Sequence, residues 1–333
     1  MKCFCIETKS TNPWYNLALE EHLSTRIRPG EIILYLWQND RTVVIGRNQN
    51  ALRECHAALL EEEGGYLARR KTGGGAVYQD LGNLCFTFLA SPEVYDQEKQ
   101  FSVVMEACAC FGIRTCLSGR NDIITEDGYK FSGNAFSHTS SCSIHHGTLM
   151  VDVNVENMKR YLTPSKEKLK AKGVKSVQSR VCNLRFLSPE VTTDSLGEAL
   201  EKSFSEIYGA GEENRIRVLK EDELDPGDIE ERFRQYASWD WRYGKSPDCE
   251  TRLRKRFDWG EVEVGFALHQ LCFQHVKIYS DALDVTLPGK LERYLTGKRC
   301  DRLSTQDTQL WQDEDQRRKA QQVIDWMERE ALL

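Results

Sequence analysis

The chain has 333 residues, of which 40% are hydrophobic and 29% are charged, and its formal net charge is −6. These fractions are those of an ordinary globular protein, and the length predicts more than one domain. The negative balance argues against a general binder of nucleic acid or of anionic membranes, so a local cluster of cations needs a local ligand to explain it.

Cysteine usage and the N-terminal sequence both favour a reducing compartment. The 12 cysteines are scattered without paired CxxC spacing, so neither zinc nor a disulfide framework is expected. The N-terminal sequence MKCFCIE has no long apolar region, and no stretch reaches the roughly 18 apolar residues of a membrane span. We therefore expect a cytoplasmic protein in which most cysteines are small core residues.

The N-terminal part of the chain predicts a helix followed by two strands. Asn12 suits the N-cap and Pro13 the first helical position, and apolar residues then recur at helical spacing with Glu20 on the polar face. Two β-rich runs follow, at residues 31–37 and 42–45. Because only four polar residues separate them, they predict a β-hairpin.

The most informative stretch follows an amphipathic helix predicted over residues 51–63 and reads RRKTGGGAVYQDLGN over residues 69–83. Its three consecutive glycines, at 73–75, cost backbone entropy on folding. They are therefore expected where φ is positive or where a ligand approaches the backbone closely. The preceding cations suit carboxylate or phosphate recognition. A plain glycine hairpin with solvated arginines is the open alternative, and no Walker A sequence follows.

A β-hairpin in the middle of the chain carries the main candidate for catalysis. After a buried strand predicted at 84–89 and a helix at 98–111, an Asp-Gly pair between apolar runs predicts a hairpin at residues 122–132. Lys130 lies on its returning strand, and residues 143–153 predict a further strand of the same sheet. A lysine on an interior strand is costly unless its charge is used, so it could neutralise a developing anion. An edge-strand lysine in water is the alternative.

Four further side chains near this hairpin could take part in chemistry. Asp122 could pair with Lys130 or help to hold Mg²⁺, although an Asp after Asn is commonly a turn residue. His145 and His146 should point to opposite faces of a strand, so chelation of one ion by both is not expected. Cys142 could in principle form a Cys–His nucleophile pair, but nothing in the sequence marks it as activated.

The C-terminal third predicts a boundary and a second, smaller domain. Residues 166–180 are rich in cations and form either a solvated surface or a loop that reaches for an anion. A Gly/Pro break at residues 244–247 fits a domain boundary. Strand-like alternation and a terminal amphipathic helix, at about 314–332, then follow. We expect domains at residues 1–246 and 247–333.

Taken in order, these motifs resemble those of the lipoate–protein ligase A family. The resemblance rests on residues 69–83, GRNDI at 119–123, KFSGNA at 130–135 and HHGTL at 145–149. It covers the predicted large domain almost entirely, whereas the C-terminal part matches by position and size. It implies an α+β fold: a large domain with a mixed β-sheet flanked by helices, like biotin ligases and class II synthetase cores, and a small C-terminal α+β domain.

The resemblance implies a two-step ligase reaction. The lipoate carboxylate attacks the α-phosphate of ATP to give lipoyl-AMP, and a lysine of an acceptor protein then takes the lipoyl group. The implied acceptors are lipoyl domains of 2-oxoacid dehydrogenase E2 subunits and the glycine cleavage H protein, with no nucleic-acid or membrane partner. ATP and Mg²⁺ are expected as co-substrates, without zinc or a tightly bound prosthetic group. Lys130 takes the catalytic role, and Asp122 is the candidate magnesium ligand.

The family resemblance also implies a set of residues that bind lipoate or the adenylate. They are Trp37, Arg70, Gly73, Gly74, Gly75, Ala76, Val77, Tyr78, Asn83, Ser132, Gly133, Ala135, Gly147, Thr148, Leu149, Lys172 and Arg180. Backbone groups of the glycine run would wrap the acyl-adenylate, and the loop at residues 172–180 would close over it. Gln79 stands where the family commonly has His, and its amide cannot exchange a proton.

Two alternatives share this core. One is an amidotransferase that moves a lipoyl or octanoyl group between carrier proteins without ATP, in some cases through a cysteine, a role for which Cys142 is available. The other is a lipoate-binding protein without turnover, against which the presence of Lys130 speaks. The appended C-terminal domain favours the ligase.

Overall fold

The computed structural model describes residues 1–119, 121–163, 181–209, 217–220, 224–244, 251–269, 272–300, 303, 310–311 and 313–331. Its internal contacts divide the chain into two compact units. The first comprises residues 1–44, 53–69 and 76–242, and the second comprises residues 45–52, 70–75 and 243–333. The glycine run therefore groups with C-terminal residues, whereas Lys130 lies in the first unit.

The described residues form strands and helices in mixed order. The strands are β1 (Lys2–Glu7), β2 (Glu31–Trp37), β3 (Thr42–Ile45), β4 (Tyr66–Arg69), β5 (Val77–Gln79), β6 (Asn83–Ala90), β7 (Thr115–Ser118), β8 (Asp122–Thr125), β9 (Lys130–His138), β10 (Ser143–Met150), β11 (Arg217–Val218), β12 (Thr251–Phe257), β13 (Gly260–His269) and β14 (Cys272–Ser280). The helices are α1 (Pro13–Arg26), α2 (Ala51–Glu54), α3 (Ala57–Glu62), α4 (Gln97–Ala109), α5 (Val155–Tyr161), α6 (Leu184–Leu187), α7 (Thr193–Tyr208), α8 (Pro226–Ala237), α9 (Trp239–Tyr243), α10 (Leu287–Leu295) and α11 (Glu314–Ala331).

An eight-stranded mixed sheet forms the centre of the first unit, in the order β11-β1-β2-β6-β10-β9-β8-β7. Strand β1 runs parallel to β2 and β11, and the remaining neighbours are antiparallel. Helices flank both faces of this sheet. The predicted α+β class with a mixed sheet is confirmed, as is the hairpin of β8 and β9.

The hairpin predicted for residues 31–45 is wrong, because its two strands belong to different sheets. Strand β2 pairs with β1 and β6 in the large sheet, and β3 lies between β4 and β5 in a three-stranded sheet. Six of the seven residues of β2 are buried, which is typical of a central strand covered on both faces. The intervening turn, where Arg41 has a φ of 34°, carries the chain from one sheet to the other.

Local sequence signals set the ends of some helices, and distant contacts override them elsewhere. The Asn12 side chain accepts hydrogen bonds from the backbone N–H groups of the first turn of α1, as predicted for an N-cap. The single helix predicted over residues 51–63 is interrupted, forming α2 and α3. At the interruption Cys55 forms a β-bridge with Leu162, so its backbone leaves the helical conformation.

Each face of the large sheet has its own core. Helices α4 and α7 pack against one face, where Phe86 and Phe88 meet Phe101 and Phe204. Helix α1 packs against the other face, where its apolar residues meet Tyr35, Trp37 and Cys85. Successive residues of a strand alternate between these two faces. Neighbouring side chains therefore lie in turn in the α4/α7 core and under α1.

The second unit contains an antiparallel sheet in the order β12-β13-β14, covered on one face by α10 and α11. Its core includes Val264, Phe273, Leu291 and Trp326. This confirms the small C-terminal α+β domain expected from the sequence. Among the helices that the structure describes, none has the length and apolar character needed to cross a membrane.

Candidate active site

A β-bulge beside Lys130 decides which face of the sheet its side chain takes. Strand β8 pairs Ile123 with Ser132. The next residue, Ile124, pairs with Lys130, so Phe131 is an extra residue on β9. Phe131 and Ile123 both lie in the core under α4 and α7. The bulge therefore turns Lys130 away from that core, to the opposite face of the sheet.

The ammonium group of Lys130 is held by Asp122. Lys130 Nζ lies 2.6 Å from Asp122 Oδ1, and the two side chains are 37% and 27% exposed. The lysine side chain extends over Gly133, where an added Cβ would lie 3.1 Å from Nζ. Gly133 has Asp122 and Thr148 as its direct neighbours on the adjoining strands. The predicted pairing of Lys130 with Asp122 is thus confirmed, and the cation stays within reach of a ligand on this face.

A chain of buried hydrogen bonds crosses the same face beneath α1. Trp37 Nε1 donates to Thr87 Oγ1 at 3.1 Å, and Thr87 Oγ1 donates to Glu20 Oε1 at 2.7 Å. The same carboxylate oxygen lies 2.8 Å from His146 Nδ1. All four residues are buried, so a carboxyl group lies beside an imidazole inside the protein.

The expectation that Glu20 lies on the polar face of its helix is wrong. Glu20 is only 7% exposed, and it reaches Thr87 on the sheet. A signal was present, since Glu20 follows Pro13, Asn16 and Leu17 at helical spacing and all three are buried. The charge of Glu20 argued against burial, because carboxylates are rarely buried unless paired.

The strand register divides the predicted ligand-binding residues between the two faces. Cross-strand pairing places a first group on the face of Lys130, namely Trp37, Asn83, Gly133, Ala135 and Thr148. A second group, Ser132, Gly147 and Leu149, lies on the α4/α7 face. A ligand beside Lys130 can therefore meet the second group only through the backbone.

His145 and His146 point to opposite faces, as predicted. His146 contacts Glu20, whereas His145 is fully buried on the α4/α7 side. There His145 Nε2 lies 2.9 Å from Asn134 Oδ1 and Nδ1 lies 3.0 Å from Gln100 Oε1. Burial away from water lowers the pKa of His145 to about 3, which keeps the ring neutral. In the part of the chain that the structure describes, no three His, Cys, Asp or Glu residues cluster as metal ligands.

Cys142 has the surroundings of a structural cysteine. Its side chain is 3% exposed, and its Sγ lies 3.7 Å from the backbone oxygen of Ser143. Burial raises the pKa of the Cys142 thiol to about 12. A nucleophilic cysteine needs an accessible thiolate, and Cys142 provides neither the access nor the charge.

Gln79 belongs to a buried chain of amides. Gln79 Oε1 accepts a hydrogen bond from Asn39 Nδ2 at 2.7 Å, and Asn39 Oδ1 accepts one from Asn16 Nδ2 at 2.9 Å. Its neighbour Tyr78 packs its ring against Tyr161 at 5.8 Å between centroids. Gln79 therefore acts as a fixed acceptor, a task that requires no proton exchange.

The glycine run is shaped by the second unit's own packing. Gly74 has a φ of +92°, and its N–H donates to the backbone oxygen of Ala282 at 3.2 Å. A Cβ on Gly73 would lie 2.2 Å from that same oxygen. Arg70 is buried, and its Nη2 donates to the oxygens of Gly73 at 2.7 Å and Gly75 at 2.9 Å. The positive φ is confirmed at Gly74, and Arg70 is not solvated. The group that approaches Gly73 closely is a backbone oxygen of this chain, so the approach of a ligand stays a prediction.

Arg69 is likewise engaged by backbone oxygens. It is 6% exposed, and its guanidinium donates to the oxygens of Trp241 at 2.8 Å and Arg242 at 2.7 Å. The guanidinium of Arg69 is thus bonded to backbone oxygens of this chain, and its expected part in carboxylate or phosphate recognition stays a prediction. Lys172 and Arg180 lie outside the described residues.

Comparison with known proteins identifies the family to which the sequence is similar and the fold that it shares. Residues 12–205 match the lipoyl protein ligase A/B catalytic domain, and residues 246–313 match the bacterial lipoate protein ligase C-terminus. Lipoate-protein ligase A of Psychrobacter cryohalolentis is 40% identical over 306 residues, which are 91% of this chain and 90% of that protein.

Solved structures share the architecture. P. falciparum LipL1 in complex with lipoate has a TM-score of 0.81 and 28% identity, covering 98% of this chain and 99% of its own. A bipartite lipoate protein ligase of Thermoplasma acidophilum, described with its E2 lipoyl domain, has a TM-score of 0.64 and 27% identity, covering 75% of this chain and 100% of its own. A lipoate-protein ligase A bound with ATP has a TM-score of 0.61 and 25% identity, covering 73% of this chain and 98% of its own.

Proposed function

This chain belongs to the lipoate–protein ligase A family, and from that premise we propose that Lys130 serves both halves of an ATP-dependent lipoylation. The reaction activates lipoate as lipoyl-AMP and then passes the lipoyl group to a lysine of an acceptor protein. One observation carries the assignment to Lys130. Its partly exposed ammonium is aimed by a bulge to the face of the sheet that also holds Trp37 and Thr148.

The first half-reaction builds negative charge at phosphorus. A lipoate carboxylate oxygen forms a bond to the α-phosphorus of ATP, and the bond to pyrophosphate breaks. A fixed ammonium at this point stabilises the charge that develops on the phosphoryl oxygens, because it is oriented before the reaction starts. Asp122 holds the ammonium of Lys130 in place at 2.6 Å.

The second half-reaction builds negative charge on the acyl carbonyl oxygen. The neutral amine of the acceptor lysine forms a bond to this carbonyl carbon, and the bond from that carbon to the phosphate oxygen breaks. AMP leaves with the electron pair of that bond, and the amine nitrogen gives up one proton to the phosphate or to water. The same ammonium can stabilise the oxyanion, since both reacting centres belong to one lipoyl-AMP molecule. We propose that the lipoyl chain lies along the α1-covered face, beside Trp37 and the buried Thr87–Glu20–His146 chain.

Asp122 is the proposed ligand of the magnesium ion that accompanies ATP. Nucleotide-bound Mg²⁺ commonly uses one or two carboxylates together with phosphate oxygens. Asp122 fits this mode, since one of its oxygens pairs with Lys130 and it lies beside the proposed phosphoryl site. The ion would supply further charge neutralisation there. Arg70 and the glycine run stay predicted adenylate-binding residues.

The proposed acceptors are lipoyl domains of 2-oxoacid dehydrogenase E2 subunits and the H protein. Support for the first comes from the Thermoplasma ligase that is described with its E2 lipoyl domain. The cysteine-dependent amidotransferase has no comparable support, since Cys142 is buried with a raised pKa.

Lipoate-dependent exchange of pyrophosphate into ATP tests the activation step, and the mass shift of a lipoyl domain tests transfer. We expect Lys130→Ala to lose both activities while keeping its thermal unfolding temperature. Lys159→Ala is the matched control, because Lys159 is also 37% exposed and also pairs with a carboxylate, that of Glu156 at 2.8 Å. Near-normal exchange by Lys130→Ala would refute the assignment, and transfer from an acylated carrier without ATP would refute the ligase reaction.

A further inference from the structure

A buried polar cluster lies on the opposite side of the sheet from Lys130. His145 is surrounded by the rings of Phe86, Phe88, Phe101 and Phe136, with centroid distances between 4.6 and 5.7 Å. An apolar side chain would fill this space without the cost of burying polar atoms. We therefore expect that the imidazole of His145 serves to fix the position of its hydrogen-bond partners.

The hydrogen bonds of Asn134 assign the protonated nitrogen of His145. Asn134 Nδ2 donates to the backbone oxygen of Asn121 at 3.1 Å and to Ser132 Oγ at 3.3 Å. Its Oδ1 therefore faces the ring, and His145 Nε2 must donate to it across 2.9 Å. A neutral ring that donates from Nε2 accepts at Nδ1, so the Gln100 amide, whose Oε1 is placed 3.0 Å from Nδ1, must be turned over so that its NH₂ group donates there.

Asn134 of strand β9 is hydrogen-bonded to Asn121, the residue that immediately precedes strand β8. Besides its side-chain bond, its backbone N–H donates to the oxygen of Asn121 at 2.9 Å. Asn121 Nδ2 donates back to the oxygen of Asn134 at 2.7 Å. Three hydrogen bonds thus join these two residues, and the next residue after Asn121 is Asp122, the partner of Lys130.

These hydrogen bonds matter because loss of the adjoining bulge would shift the register of β8 and β9 by one residue. A slip of one residue would move the side chains of a strand to the other face of the sheet. Lys130 would then leave Asp122 and turn toward the α4/α7 core. We propose that His145 is a positioning residue that holds Lys130 on the catalytic face through Asn134 and Asn121. This inference rests on the role of Lys130 proposed above.

The test compares His145→Phe with His145→Gln. Phenylalanine fits the aromatic surroundings but leaves Asn134 Oδ1 without its donor, whereas glutamine retains one. We expect His145→Phe to lower kcat for adenylate formation about tenfold or more with KM for lipoate unchanged, because a misplaced catalytic group is costly. His145→Gln should restore most of kcat.

A second measurement does not depend on catalysis. The rate at which Lys130 is acetylated by an N-hydroxysulfosuccinimide ester, read by peptide mass spectrometry, reports how firmly Asp122 holds it. We expect this rate to rise in His145→Phe relative to Lys159 in the same sample. Equal acetylation rates of Lys130 in the natural chain and in His145→Phe would overturn the proposal. This outcome is independent of the catalytic role of Lys130, which an active Lys130→Ala variant would refute.

Two further variants separate positioning from general loss of stability. Phe204→Leu weakens the same core without touching Asn134, since Phe204 contacts Phe88 and Tyr208. If it lowers kcat as much as His145→Phe at an equal fall in unfolding temperature, the proposal is overturned. Should His145→Phe fail to fold, Gln100→Met removes the Nδ1 partner at similar volume. It should lower kcat and raise Lys130 acetylation, and the absence of both changes would contradict the proposal.

Discussion

Acid should destabilise this protein through His145, and the size of the effect follows from its burial. The ring is fully buried, and desolvation, with a smaller contribution from the nearby His146, lowers the pKa of His145 to about 3. In the unfolded chain the pKa of a histidine is about 6.5. Unfolding therefore takes up a proton between these two values, so the free energy of unfolding falls as the pH falls.

The magnitude at pH 5 is about 2 kcal/mol, since the unfolded-state pKa of about 6.5 lies about 1.5 units above that pH and each unit corresponds to about 1.4 kcal/mol. At pH 7 the contribution of His145 is fully present, and near pH 3 it is fully lost. A change of about 2 kcal/mol is a large fraction of the stability of an ordinary domain. The loss should therefore be visible in ordinary unfolding curves.

The assay is urea unfolding at pH 7 and pH 5 for the natural chain and for His145→Gln. Other groups titrate in both chains, so the quantity of interest is the difference between their losses of unfolding free energy. We expect the natural chain to lose about 2 kcal/mol more than the variant, which has no imidazole to protonate at this position. Equal losses in the two chains would refute the reasoning.

Two other outcomes follow from buried positions. Cys142→Ala should leave the lipoylation rate nearly unchanged, because its thiol is buried and its pKa is raised to about 12; loss of transfer in a lipoyl-domain assay would instead support a cysteine mechanism. Gly82→Ala should lower the unfolding free energy by about 1–3 kcal/mol through overpacking, since its Cβ would lie 2.0 Å from the oxygen of Asp152. Gly289→Ala, with nothing within 4 Å of its Cβ, is the control, and equal thermal unfolding temperatures of the two variants would contradict the steric argument.

Local signals in the sequence predicted local structure well. The cap formed by Asn12 and Pro13 needs only neighbouring residues, and the Asp127-Gly128 turn sets the hairpin that carries Lys130. The pairing of Lys130 with Asp122 was foreseen because both lie on that one hairpin. Family resemblance supplied the reaction, which no periodicity could have indicated.

Features set by distant contacts were not predictable. Apolar alternation could not assign β2 and β3 to different sheets, because both are buried runs of similar composition. The extra residue Phe131 leaves no mark in the hydrophobic pattern, yet it determines the face that Lys130 takes. Glu20 was misplaced because its partners, Thr87 and His146, lie far along the chain.

The contact between Gly73 and Ala282 has a consequence for comparing sequences. The contact requires that residue 73 has no side chain, whereas residue 282 contributes only its backbone oxygen. Residue 282 can therefore change its identity while the contact persists, whereas residue 73 cannot. Among homologues such a link should appear as an invariant glycine without a covarying partner, so methods that infer contacts from correlated substitutions would pass over it.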